Sequence, residues 1–337
     1  MSMFRSLHSY LFDFTGILVI FIVVYFISVS QSVGDVLSIK LPNSFAQSNT
    51  IFLSILIEAL PFVLVGVLIA GFIQIFITED HLKRWIPKNK ILAVFVSCIV
   101  GAIFPACECG IVPIVRRLIA KGVPIYAGVG FLLTGPLINP IVIFSTYVAF
   151  GNDSKMAALR MGVGFIAALL ITLIISYLFK SNQLKHTVSD FVHTADLNKR
   201  NEPFLRKFEG MLKHSIDEFF DMGKYLIIGA FIAALVQTYV KTSSLFILGD
   251  SLAGSTVIMM SLAFFLSLCS EADAFIGASF SNLFPSTSIL AFLIYGPMID
   301  LKNTIMLWRA FKAKFVFILI IVITVIVFIC VQLTSFI

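Results

Sequence analysis

The chain has 337 residues, of which 59% are hydrophobic and only 12% charged, and its net charge is +6. A soluble protein would carry roughly a quarter charged residues, so the composition excludes one and points to an all-α polytopic membrane protein. The positive balance does not indicate nucleic acid. The basic residues sit in short loops between apolar runs, where they set topology and meet the headgroups of membrane lipids.

In chain order the apolar runs are Leu11–Ser30, Ile51–Ile77, Ile91–Val115, Ile125–Phe150, Ala157–Phe179, Phe219–Val240, Ala253–Phe280, Ser288–Ile299 and Ala310–Val331. Most reach the ~20 residues that a spanning helix needs. The apolar part of Leu11–Ser30, Phe14–Ser30, has the position of a signal peptide but lacks a convincing basic start and a small-residue cleavage site, so it reads as a retained first helix. Lys180–Asp217 reads as a mobile or loosely helical loop, and its seven Lys/Arg residues place it in the cytoplasm. The implied organisation is an N-terminal helix with an outer loop (1–47), a first membrane repeat (48–180), a cytoplasmic linker (181–213) and a second repeat (214–337).

The repeat is legible in the residues. Leu64–Gln74 matches Ile227–Gln237, and the same offset places Glu108 on Glu271 within Cys269-Ser270-Glu271-Ala272-Asp273. Phe131–Asn139, which contains Gly135-Pro136, then matches Phe292–Asp300, which contains Gly296-Pro297. If every run crosses fully, Thr78–Lys90 and Lys180–Asp217 fall on opposite sides, against the positive-inside rule. If Ile91–Lys121 and Ala253–Pro285 instead dip in and return, the basic loops all lie inside, and only Lys155 and Arg160 offend. Each half then crosses three times and the repeats are inverted, a design that in transporters places sites at discontinuous helices. A continuous kinked helix in place of each dip remains compatible with the sequence.

The residues able to carry chemistry gather at these places. In Phe104-Pro105-Ala106-Cys107-Glu108-Cys109-Gly110-Ile111-Val112-Pro113 an acid stands between two thiols and two prolines, inside an apolar run. Proline interrupts a helix, and an acid in hydrocarbon marks function or a neutral structural role. Apolar surroundings disfavour a bare carboxylate, which suits Glu108 and Glu271 to proton loading. Asp273 takes the place of Gly110, so the halves contribute unequally. Cys107 and Cys109 diverge by about 200° on a helix. Both reach one soft metal ion only if the backbone curls, and otherwise they pack as small hydrophobes. No histidine in a membrane segment completes a zinc site, and no cofactor is implied. Cys98, Cys107, Cys109, Cys269 and Cys330 all lie in apolar runs, which excludes a disulfide framework. Gly135-Pro136 and Gly296-Pro297 should break their helices to line a cavity, with Asn139 and Asp300 as caps or substrate contacts. Glu58, near Pro61, is a further cavity acid or an interface residue. Arg116, Arg117 and Lys121 should mark the cytoplasmic headgroup level.

At these residues the chain resembles the predicted permease family that includes the organoarsenical efflux permease ArsP and the YraQ/YcgR-type proteins. The matching features are Pro105–Pro113, Leu133–Pro140 and the Cys269/Glu271/Asp273 cluster. The resemblance implies a multi-pass inner-membrane permease for a small-molecule or ion substrate, with a thiol-reactive metal or metalloid species as a candidate. It also implies a second membrane or lipoprotein subunit as a possible partner. The expected binding residues are Cys107, Glu108, Cys109, Asn139, Gly135, Pro136, Glu271, Asp273, Gly296, Pro297 and Asp300, with proton coupling through Glu108 or Glu271. The rival expectation is a non-transporting subunit that scaffolds or redox-supports a partner. An enzyme is not expected, because no nucleophile–base constellation is present, and no P-loop supplies nucleotide energy.

Overall fold

The computed structural model describes residues 43–76, 87, 89–179, 181, 183–185, 204–239 and 251–336. The expected helix Leu11–Ser30, Lys83, Arg84, Lys88 and most of the linker lie outside the described residues. The first half comprises α1 (Asn43–Phe76), α2 (Lys90–Ile103), α3 (Glu108–Ala120), α4 (Ile125–Ile138), α5 (Pro140–Ala149) and α6 (Ser154–Leu178). The second comprises α7 (Phe204–Tyr239), α8 (Leu252–Leu266), α9 (Ser270–Ser279), α10 (Ser286–Met298), α11 (Leu301–Ala310) and α12 (Ala313–Leu333), closed by a 3₁₀ turn. Among the described residues six helices are long and apolar enough to cross a membrane, α4–α5 and α10–α11 each counting as one bent span.

Both interrupted helices turn the chain back on itself. Along α4, Ser97 and Cys98 of α2 lie against Gly130, and Gly101 lies against Phe131 and Thr134, so α2 and α4 run parallel. Ile111 of α3 lies against Gly135 while Val115 and Ile119 lie against Gly128, so α3 runs the opposite way. In the second half Ser255 of α8 bonds Ser288 at 2.9 Å and Ala263 approaches Gly296. Asp273 of α9 faces Gly296 while Gly277 meets Ile289 and Leu293, again in the reverse direction. Each pair is therefore a helical hairpin whose tip is the break.

The two tips form differently. Phe104 precedes Pro105, a position that disfavours the α conformation, and it ends α2 in extended geometry at φ −81°, ψ 115°. The second tip has no proline. Ser267 ends α8 in the left-handed region at φ 48°, ψ 45°, a conformation that costs a non-glycine residue about 1–3 kcal/mol and persists where neighbours dictate it.

Three expectations change. The Gly-Pro pairs do not break their helices: α4 continues through Pro136 to Ile138, and α10 through Pro297 to Met298. The bends fall at Asn139, which precedes Pro140 and is disfavoured in α for that reason, and at Ile299–Asp300. The glycines serve packing instead, Gly135 against Ile111 and Gly296 against Asp273. Secondly, α7 begins at Phe204, so the later part of the stretch read as a mobile or loosely helical loop is regular helix. Its first turns carry charges, but Met211, Ser215, Glu218 and Met222 are buried at helical spacing, with Met211 and Ser215 against Gly71 of α1. The beginning of the linker is also held: Lys312 N–H donates to the Gln183 carbonyl at 2.9 Å, and Lys185 N–H to that of Ala310 at 3.2 Å. Thirdly, the segment read as Ser288–Ile299 extends through α11 to Ala310.

Helices α1 and α3 approach each other closely, so that a Cβ on Gly66 would fall 2.2 Å from the Gly110 carbonyl oxygen. Gly66→Ala should therefore destabilise the purified protein by about 1–3 kcal/mol. Gly223→Ala, where a Cβ meets nothing within 4 Å, should be neutral or gain up to about 1 kcal/mol from helix propensity. Thermal unfolding in detergent checks both, and equal midpoints for the two variants would contradict the packing described.

Candidate functional site

Three helix N-termini converge between the hairpin tips. Glu108 is the first residue of α3, Glu271 and Asp273 lie in the first turn of α9, and Lys302 is the second residue of α11. Free N–H groups and the helix dipole favour acids at such ends. Lys302 runs against that preference and is held by acids instead.

Its ammonium lies 3.0 Å from Glu108 Oε1 and 3.3 Å from Asp300 Oδ2, and donates to the Ser267 carbonyl at 2.7 Å. All four residues are buried. Asp300 also caps α11, accepting from Asn303 N–H at 2.6 Å. Ser267 Oγ accepts from Leu301 N–H at 3.1 Å, which ties the strained tip to the start of α11. Lys302 thus joins the first hairpin tip, the second tip and the α10–α11 bend.

A cavity of about 20 Å³ adjoins this pair, lined in part by Glu58, Cys107, Glu108, Cys109, Cys269 and Lys302. That volume holds about one water molecule. A larger groove of about 610 Å³ opens between α8, α10 and α12, but its lining of Met260, Phe264, Tyr295, Phe328 and similar residues contains no charged group. The candidate site is therefore the small cavity, where the ionisable groups meet.

The expected site residues divide accordingly. Cys107, Glu108, Cys109 and Asp300 come together around Lys302, and Cys107 and Cys109, expected to diverge, both line the one cavity. Cys107 is the N-cap of α3, just outside the helix, and this removes the helical separation assumed from spacing. Glu271 is half-buried and Asp273 buried; both interact electrostatically with Glu108 across the tips. Asn139 caps α5, accepting from Val142 N–H at 2.9 Å. Gly135, Pro136, Gly296 and Pro297 are packed in the interior and do not line the cavity. Among the described residues no three His, Cys, Asp or Glu side chains gather as a metal-binding set.

Sequence reasoning missed two cations. Lys302 falls among the basic residues that the charge pattern places inside, although it follows the Gly296–Asp300 motif closely. Arg160, which offended the charge rule, is fully buried and donates to Thr146 Oγ1 at 2.7 Å and to the Ser270 carbonyl at 3.1 Å. The offence itself was the signal. Arg116 and Arg117 also turn inward: Arg117 pairs with Glu218 at 2.6 Å, and Arg116 stands 3.7 Å from both Glu218 and Asp221. Lys121 donates to the Gln74 carbonyl.

A family model described as a predicted permease matches residues 44–336. The chain belongs to this permease family. The chain is 54% identical to the UPF0718 protein YcgR of Bacillus subtilis over 294 residues, 85% of this chain and 96% of that one. It is 45% identical to a putative two-component membrane permease complex subunit of Streptococcus mutans, over 82% of this chain and 91% of that one. A UPF0718 protein of Methanocaldococcus jannaschii is 26% identical over 46% of this chain and 42% of its own. No solved structure matches. Family and apolar helices together make the permease a multi-pass protein of the cell membrane.

Removing one partner of a buried ion pair costs about 3–5 kcal/mol. Lys302→Met should therefore lower the unfolding midpoint of the purified permease strongly, and Glu108→Gln added to it should recover part of the loss. A midpoint unchanged by Lys302→Met would show that the pair does not hold the tips.

Proposed function

We propose that the chain moves a small solute across the cell membrane through the site between its two hairpin tips, with proton coupling. The observation that carries this is the cavity at Cys107, Glu108, Cys109 and Lys302, enclosed by elements of both halves. Room for about one water makes the arrangement a closed one, so a solute enters only when the halves separate. The thiols suit a thiol-reactive metal or metalloid species. With no three-ligand metal set among the described residues, the solute class that fits is one satisfied by two sulfurs.

The same reading makes residues 48–180 and 214–337 inverted repeats joined by a cytoplasmic linker. It is supported by six helical elements in the same order in each half, three full spans in each, and hairpins at matching places. Cysteines introduced singly into a cysteine-free background should label from the cytoplasm at Gly122 and Lys312 and from outside at Asn152 and Asn282, all exposed positions. Labelling of Gly122 from outside, or of Asn152 from the cytoplasm, would refute the inversion.

The description of the Streptococcus mutans relative as a complex subunit favours a second reading, in which the chain works only with a second membrane or lipoprotein subunit, or supports that partner without transporting. Reconstitution separates the two. Proteoliposomes holding this chain alone should exchange phenylarsine oxide, a trivalent arsenical with affinity for paired thiols, and Cys107→Ser with Cys109→Ser should lose that exchange while Cys98→Ser and Cys330→Ser keep it. Exchange that appears only when a partner is added supports the subunit reading. Exchange undiminished in the double variant removes the thiols from the mechanism.

A further inference from the structure

The acids around the tips are not equally compensated. Glu108 and Asp300 share the Lys302 ammonium, and Glu271 is half-buried. Asp273 is 1% exposed, and neither of its carboxyl oxygens has a hydrogen-bond partner. Across from it, Arg160 is 0% exposed and its Nε is unpartnered. The guanidinium acts electrostatically on Asp273 and Glu271, but its hydrogen bonds go to Thr146 and to the backbone of Ser270.

A buried carboxyl group must be either paired or protonated, because an isolated charge there is too costly. We propose that Asp273 carries the coupling proton and that Arg160 is the counter-ion for which the proton is exchanged. This rests on the permease reading and names the group it requires. When Arg160 stands off, as it does here, a proton from water occupies one Asp273 oxygen and the acid is neutral. When Arg160 closes on the carboxylate, that proton leaves to water and the pair is neutral as a whole. Arg160 belongs to α6 and Asp273 to α9, so movement between the halves sets their separation.

The charged groups facing Asp273 are Arg160 from α6, Glu108 from α3, and Asp300 and Lys302 at the start of α11, with Glu271 on its own helix. The helices packed on α9 present Thr146 of α5 and Gly296 of α10, and neither helix carries a charged residue. Gly296 leaves the space the carboxyl group occupies: a Cβ there would sit 2.7 Å from Oδ2.

Infrared spectroscopy of the purified full chain reads the protonated carboxyl stretch directly and needs no solute. The wild-type band of a buried acid should come and go with pH, vanish in Asp273→Asn and reappear, displaced, in Asp273→Glu. It should stop responding to pH in Arg160→Gln and respond again in Arg160→Lys, while Glu209→Gln, at an exposed site, leaves it alone. A band that survives Asp273→Asn, is lost in Glu108→Gln or Glu271→Gln instead, or still titrates in Arg160→Gln overturns the proposal. If the Asp273 band titrates but proteoliposomes exchange nothing, the permease reading fails and the exchange pair stands. If they exchange phenylarsine oxide and the band is indifferent to Asp273, the pair fails and the permease reading stands.

Discussion

One buried ammonium organises the interior. Lys302 meets Glu108 of the first hairpin, Asp300 of its own helix cap and the carbonyl of Ser267 at the second tip. Removing three such charges from water is expensive, and only good geometry with further hydrogen bonds recovers the cost. The geometry is good because α11 starts where it does. The left-handed Ser267 offers its hydroxyl to the first amide of α11 and its carbonyl to the Lys302 side chain, so the strain at the tip and the placement of the lysine are one arrangement.

The ends of the same helices are tied by charge as well. Arg116 and Arg117 near the end of α3 meet Glu218 and Asp221 of α7, and Arg309 near the end of α11 reaches Asp221 at 3.3 Å and lies over Tyr225. The first hairpin is therefore fastened to the second half at its tip and at its far end. Between these points the fastening is steric: Gly66 and Gly110 let the α1 and α3 backbones approach more closely than any side chain allows.

The all-α membrane class was legible in the sequence because apolar run length and sparse charge pointed one way. The first hairpin was legible too, since Phe104-Pro105 announces a break. The second tip rests on Ser267, which is tied to Leu301, 34 positions away, and no proline beside it announces a break. The Gly-Pro pairs misled because a proline near the end of a helix coexists with two more helical residues, and the bend waits for Asn139 or Ile299. Reading every basic residue as a topology marker hid Lys302, Arg160, Arg116 and Arg117. A lysine or arginine is placed by its nearest acid as well as by the membrane surface, and that acid is supplied by the other half of the chain.

That exchange between halves bears on how the site works. Lys302 of the second half neutralises Glu108 of the first, while Arg160 of the first half holds the Ser270 carbonyl of the second and faces Asp273. Each tip is thus held by a cation from the opposite half. Any displacement of one half against the other changes both contacts, and with them the charge that each acid can bear in a dry interior. A cavity this small cannot admit a solute without such a displacement. In the proposed transport cycle the opening of the site and the protonation of its acids are therefore a single event, governed by the same side chains.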